Sequence, residues 1–131
     1  TCGLRMLVYR KISEGKTLKF FEMKHLEPHQ KYAVLHCAFQ VIASADGSID
    51  EERDYEAISF LLTELGFSSV YAWDSALKIN PHDAFYHVST LDNEAKAVFK
   101  NMMLKISTMA GNEKLRKTCA ESVFQLCGIL I

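Results

Sequence analysis

The stretch "PHQKYAVLHCAFQVIAS", Pro28 to Ser44, constrains the fold more than any other part of the chain. Tyr32, Ala33, Val34, Leu35, Cys37, Ala38, Phe39, Val41 and Ile42 follow one another with few polar interruptions. On a helix they cover almost the whole circumference. Pro28 stands where a first-turn proline is tolerated, because its missing N–H would have no partner there anyway. A helix that is apolar all round lies inside a protein or inside a bilayer. Crossing a bilayer takes about 18 or more apolar residues, and no run in this sequence reaches that length. The segment therefore predicts the buried centre of a helical bundle.

The remaining segments have the pattern of helices that wrap such a centre. Leu4, Leu7, Val8 and Ile12 share a helical face that Gly15 ends, although "LRMLVYR" also suits a strand. Thr17 opens a short helix to Leu26, stopped by Pro28. Beyond the Asp46-Gly47 turn, Tyr55, Ile58, Leu61, Leu62 and Leu65 recur at three and four up to Gly66, a C′ residue. Ser68 or Ser69 caps a helix with Val70, Trp73, Ala76 and Leu77, closed by Asn80-Pro81. Ala84, Phe85 and Val88 turn inward in the helix that follows. Asp92 caps "NEAKAVFKNMMLKISTMA", whose Ala95, Val98, Phe99, Met102, Met103, Ile106 and Met109 form one wide apolar face. The last helix is expected to place Leu115, Cys119, Val123, Leu126 and Leu130 inward. The expectation is an all-α fold over residues 1–131: a compact single-domain bundle of six or seven helices. Residues 1–27 form a basic helical segment and residues 28–131 the core.

A faint internal echo accompanies this pattern. "IASADGSIDEER…FLLTELGF" and "ISTMAGNEKLRK…VFQLCGI" share a frame in which an apolar helix ends at a small-residue turn. An amphipathic helix follows in both, ending at glycine and an apolar residue, as a weak pseudo-repeat would.

Charge and cysteine usage narrow the function classes. A formal net charge of −1 argues against a nucleic-acid binder, which needs a broad basic face. The charge is uneven, with Arg5, Arg10, Lys11, Lys16, Lys19 and Lys24 ahead of an acidic stretch from Asp46 to Glu56. The bland account is two solvated surfaces; the sharper one is a weak peripheral contact of the basic segment with anionic lipid. Cys2, Cys37, Cys119 and Cys127 include no C-x-x-C pair, against a zinc site. Cys37, Cys119 and Cys127 are read as reduced thiols that pack like small hydrophobes, as in a cytoplasm. No signal peptide is visible; the sequence starts at Thr1, which leaves upstream targeting or membrane segments open.

The acidic stretch "IASADGSIDEERDYEAI" invites a metal. Set against a calcium-binding EF-hand loop, Gly47, Ile49 and Asp50 fall at agreeing positions, but Ile42 and Ser44 stand where carboxylates belong. Arg53 takes the place of the bidentate glutamate. Ca²⁺ needs six to eight oxygens, so this is not an EF-hand. The structural alternative is a tight turn at Gly47, an Asp50 cap, and Glu51 and Glu52 at a helix start whose dipole favours negative charge. A carboxylate cluster of Asp46, Asp50, Glu52 and Glu56 is the other candidate, holding Ca²⁺ or Mg²⁺.

"ADGSIDEE", between an apolar helix and one ending "LTELGF", resembles the signature of the TerB-like (tellurite-resistance) family, which includes domains attached to J-domain co-chaperones. The likeness continues through "INPHDAFYHVSTLDNEAKAVFKNMMLKISTMAG" and covers most of the chain, from about Pro28 to Ile129. It implies an all-helical fold with an internal pseudo-repeat and an acidic, divalent-metal-binding surface where two Asp-Gly turns meet. Two departures weaken that metal site. Arg53 replaces the glutamate seven residues after the turn aspartate, and the second turn, Ala110-Gly111-Asn112, lacks its aspartate.

Little else suggests chemistry. His25, His29 and His36 do not share one helix, His36 sits on the apolar helix, and His82 and His87 flank Asp83 in solvent-facing positions. No phosphate loop, nucleophile elbow or identifiable nucleophile–base pair occurs. The expected function is a non-catalytic TerB-like module that binds a protein partner in a stress- or envelope-associated complex. The setting would be the bacterial cytoplasm, at or near the inner membrane. Divalent-metal binding is the alternative.

Overall fold

A computed structural model describes residues 25–44, 47, 49–50, 52–67, 71–109 and 112–129. Six helices account for most of them: α1 (Pro28–Ala43), α2 (Tyr55–Glu64), α3 (Tyr71–Leu77), α4 (Pro81–Ser89), α5 (Asn93–Ile106) and α6 (Glu113–Leu126). There is no strand among the described residues, and the protein is an all-α bundle. The basic segment, the Ser68 and Ser69 cap, Val70 and Leu130 lie outside the described residues, as does Asp46. Among the described residues no helix is long and apolar enough to cross a membrane.

The apolar helix is the centre. α1 touches each of the other five helices, and Ala33, Val34, Leu35, Cys37, Ala38 and Val41 have no exposed surface. A helix surrounded in this way cannot keep a polar face, which is why its sequence lacks one. It begins at Pro28, and the Gln30 side chain accepts from the Glu27 N–H at 3.2 Å. Its one buried side chain that is neither apolar nor a thiol is His36, whose Nδ1 meets the Ala76 carbonyl of α3 at 3.0 Å. Among the described residues Nε2 has no hydrogen-bond partner, so His36 is only half satisfied.

The caps follow the side chains that supply them. Asp92 accepts from the Ala95 N–H at 2.8 Å and opens α5, as expected. Asn80 opens α4 by accepting from the His82 N–H at 2.8 Å, so Asn80-Pro81 starts a helix as well as ending the previous one. Ile58, Leu61, Leu62 and Leu65 are buried on α2, and Ala95, Phe99, Met102, Met103 and Ile106 on α5.

α6 departs from expectation. Leu115 is 54% and Leu126 61% exposed, while Arg116, Ala120, Val123, Phe124 and Cys127 face the core. The helix is rotated by one residue from the face that apolar spacing suggests. The physical reason is Arg116, which carries a charge into the interior because an acceptor and a carboxylate wait for it there.

The internal echo becomes a structural equivalence between α2 and α6. Each ends in a Schellman motif on a glycine of positive φ, Gly66 at +78° and Gly128 at +71°. Phe67 N–H donates to the Leu62 carbonyl at 2.9 Å, and Ile129 N–H to the Phe124 carbonyl at 2.8 Å. Counted back from these glycines, Leu65, Leu62, Leu61 and Ile58 match Cys127, Phe124, Val123 and Ala120, all buried. One step further back the pattern pairs Asp54 with Arg116, each twelve residues before its glycine.

Candidate functional site

The acidic turn joins α1 to α2 at the end of the central helix. Gly47, at φ +81°, donates to the Ala43 carbonyl and turns the chain away from α1, a conformation that needs glycine. Half-buried Ile49 packs against the core and fixes the turn's inner side. Asp50 follows, and its Oδ1 accepts from the N–H groups of Glu52 at 2.9 Å and Arg53 at 3.0 Å. The N–H of Asp54 donates to the Asp50 carbonyl at 2.8 Å, so Asp50 opens a turn just ahead of α2. Its carboxyl is held below the ordinary range, chiefly by the Arg53 N–H, against the opposing effect of desolvation and with help from the Glu52 N–H and the Arg53 charge.

The deepest group of the turn is Asp54, which the sequence reading passed over. Its side chain has no exposed surface. Arg53 reaches it twice, Nε to Oδ1 at 3.0 Å and Nη2 to Oδ2 at 2.7 Å, and the Asp50 N–H donates to Oδ2 at 3.0 Å. Arg116, with a side chain only 1% exposed, approaches from α6 with Nη2 3.6 Å from Oδ1, while its Nε donates to the Ile42 carbonyl at 3.1 Å. Ile42 lies in the last turn of α1, where carbonyls lack intrahelical donors. One guanidinium therefore links α6, the end of α1 and the start of α2.

Three of the four candidate metal ligands, Asp50, Glu52 and Glu56, are among the described residues. Asp46 lies outside the described residues; Glu52 and Glu56 are exposed, and Asp50 already accepts two backbone hydrogen bonds. Among the described residues no group of three or more His, Cys, Asp and Glu side chains is placed to hold a metal ion. Arg53, which takes the place of a carboxylate in the metal-binding pattern, points its guanidinium at Asp54 instead. The signal for Arg116 was available in the echo: aligned on the closing glycines, the one charged residue on the inner face of α6 falls opposite Asp54.

The other expected constellations stay apart. His29 and His87 meet edge to face, with ring centroids at 4.8 Å, where the start of α1 crosses the end of α4. His25 and His82 are exposed. Cys37, Cys119 and Cys127 are free thiols.

No family model, no curated protein and no solved structure matches this chain.

Proposed function

We propose that the chain is a non-catalytic, TerB-like helical module that works by binding a protein partner. The observation that carries this is the state of the acidic turn. Its buried carboxylate is neutralised by Arg53 and Arg116, and Asp50 is committed to backbone N–H groups. Both oxygens of Asp54 are engaged inside the fold by Arg53, Arg116 and the Asp50 N–H, and the carboxylate has no exposed surface to offer a substrate. What α6 offers to its surroundings is instead an apolar pair, Leu115 and Leu126, three turns apart and so on one exposed face.

The test is a photoreactive residue placed at Leu126 in the producing cell. One discrete protein adduct, lost when Leu115→Glu is added, is expected. A smear identical to that from a photoreactive residue at Lys78 would count against partner binding. Hydrolysis of ester, phosphate or peptide substrates by the pure protein, abolished by one substitution, would overturn the non-catalytic half.

Divalent-cation binding is the second reading, favoured by Glu52 and Glu56, both exposed and four residues apart. It requires Asp46 and Asp50 as well. Asp46→Asn with Asp50→Asn should then abolish Ca²⁺ or Mg²⁺ binding, and unchanged affinity would refute the assignment.

A further inference from the structure

Two histidines meet at the end of α1 that lies away from the acidic turn. His29 stands in the first turn of α1 and His87 in the last turn of α4, with ring centroids 4.8 Å apart and planes inclined at 63°. His29 is exposed and His87 half-buried. Among the described residues neither ring is hydrogen-bonded. The backbone beneath the rings is tied down. α4 packs along α1, and the Gln30 side chain donates from Nε2 to Thr90 Oγ1 at 3.3 Å. That hydroxyl in turn donates to the His87 carbonyl at 2.6 Å. On its other side His87 meets the Tyr86 ring edge-on, with centroids 5.5 Å apart.

We propose that His29 and His87 form a two-imidazole site for Cu²⁺, completed by water. The separation of the rings carries the proposal. A metal ion sits about 2.0–2.1 Å from a histidine nitrogen, which places it roughly 3.2 Å from the centre of the ring. Two imidazoles in neighbouring positions on one ion then have centroids about 4.5 Å apart at a right angle and about 5.2 Å apart at a tetrahedral angle. The observed 4.8 Å falls between the two. Rotation about χ2 preserves this separation, because the Cβ–Cγ bond points at the centre of the ring and only the nitrogens swing. Terminal torsions of this kind are broad. The rings can therefore turn nitrogens toward one ion while both helices stay in place.

The choice of ion follows from the number and kind of ligands. Zn²⁺ sites use three or four protein ligands. Among the described residues no third His, Cys, Asp or Glu joins the pair. Ca²⁺ and Mg²⁺ take oxygen ligands. Cu²⁺ stands at the top of the affinity order for divalent ions, suits imidazole, and adopts a square arrangement whose free corners water can fill. Bound there, the ion joins the start of α1 to the end of α4. It stabilises the fold by mass action, because the unfolded chain does not hold the two rings together.

The test titrates the full chain with Cu²⁺ alone, its accessible thiols first alkylated so that the ion is not reduced. Electron paramagnetic resonance and melting curves follow the titration. The expected result is one saturable equivalent, a spectrum with coupling to two imidazole nitrogens, and a raised melting temperature. His29→Ala and His87→Ala should each weaken binding by about 100-fold or more, beyond the cost of losing a mere supporting partner, and remove the gain in melting temperature. His25→Ala and His82→Ala, at exposed histidines outside the pair, should change neither. Should His87→Ala fail to fold, His29→Ala, at an exposed position, still decides the matter. No saturable uptake, unchanged affinity in His29→Ala, or equal losses in all four variants, as an adventitious ion spread over surface histidines would give, would overturn the proposal.

Discussion

Replacing Arg116 by methionine removes one charge from the interior and keeps much of the side chain's volume. Arg116 and Asp54 are both buried, 3.6 Å apart, and Arg116 also donates to the Ile42 carbonyl. Removing one partner of a buried ion pair costs about 3–5 kcal/mol, because the other charge is left uncompensated. Here Arg53 still holds Asp54 through two contacts, so the lower end applies, about 3 kcal/mol including the lost hydrogen bond to the Ile42 carbonyl. In a domain of this size that lowers the melting temperature by about 10 °C. The companion Arg53→Met should cost only about 1 kcal/mol, because its side chain is 33% exposed and water can replace it. The double variant Asp54→Leu/Arg116→Met should recover most of the loss, since neither charge then remains buried. The assay is urea unfolding of all four proteins, followed by circular dichroism. An Arg116→Met cost below about 1 kcal/mol, or an Arg53→Met cost larger than it, would refute the assignment of Arg116 as the internal cation.

Asp50→Ala should destabilise the protein at neutral pH, and the penalty should shrink in acid. The Asp50 carboxyl titrates lower in the folded chain than in the unfolded one, so its contribution is complete above the unfolded value, about 3.9. The contribution is lost as pH falls through the folded value. Melting curves of wild type and variant should therefore converge below the ordinary carboxylate range, and a constant gap down to the lowest pH would contradict the hydrogen bonds from the Glu52 and Arg53 N–H groups to Asp50. Gly128→Ala should cost about 1 kcal/mol purely from backbone strain at φ +71°, since open space surrounds its Cβ, and an unchanged urea midpoint would contradict it. His36→Leu should cost about 1 kcal/mol by removing the ring contact to the Ala76 carbonyl, which keeps only the longer hydrogen bond from the Ile79 N–H at 3.3 Å. Hydrogen exchange should report the loss as faster opening of α3, and equal loosening of all six helices would argue against a local tie.

How much of this was legible beforehand depended on the kind of signal. α1 was legible because a helix apolar on every side has few places to go, and the closing glycines of α2 and α6 were legible because positive φ demands them. The face of α6 was misplaced because apolar spacing assigns leucines to the core and charges to solvent. Arg116 reverses this, and its reason, a buried carboxylate on another helix, is not a property of α6's own sequence. Asp54 was overlooked inside a run of acids in which Asp46, Asp50 and Glu52 all look alike. Only the fold separates the one that is buried from those that cap or face solvent.

The central claim is that the acidic turn is held by the chain's own arginines and N–H groups. The most direct test is calorimetric titration of metal-free protein with Ca²⁺, Mg²⁺ and Zn²⁺, beside the variant Asp46→Asn/Asp50→Asn. The account predicts no saturable heat of binding and an unchanged melting temperature with each ion. Saturable binding to the wild type that the double variant loses would contradict it, and would make the turn a cation site.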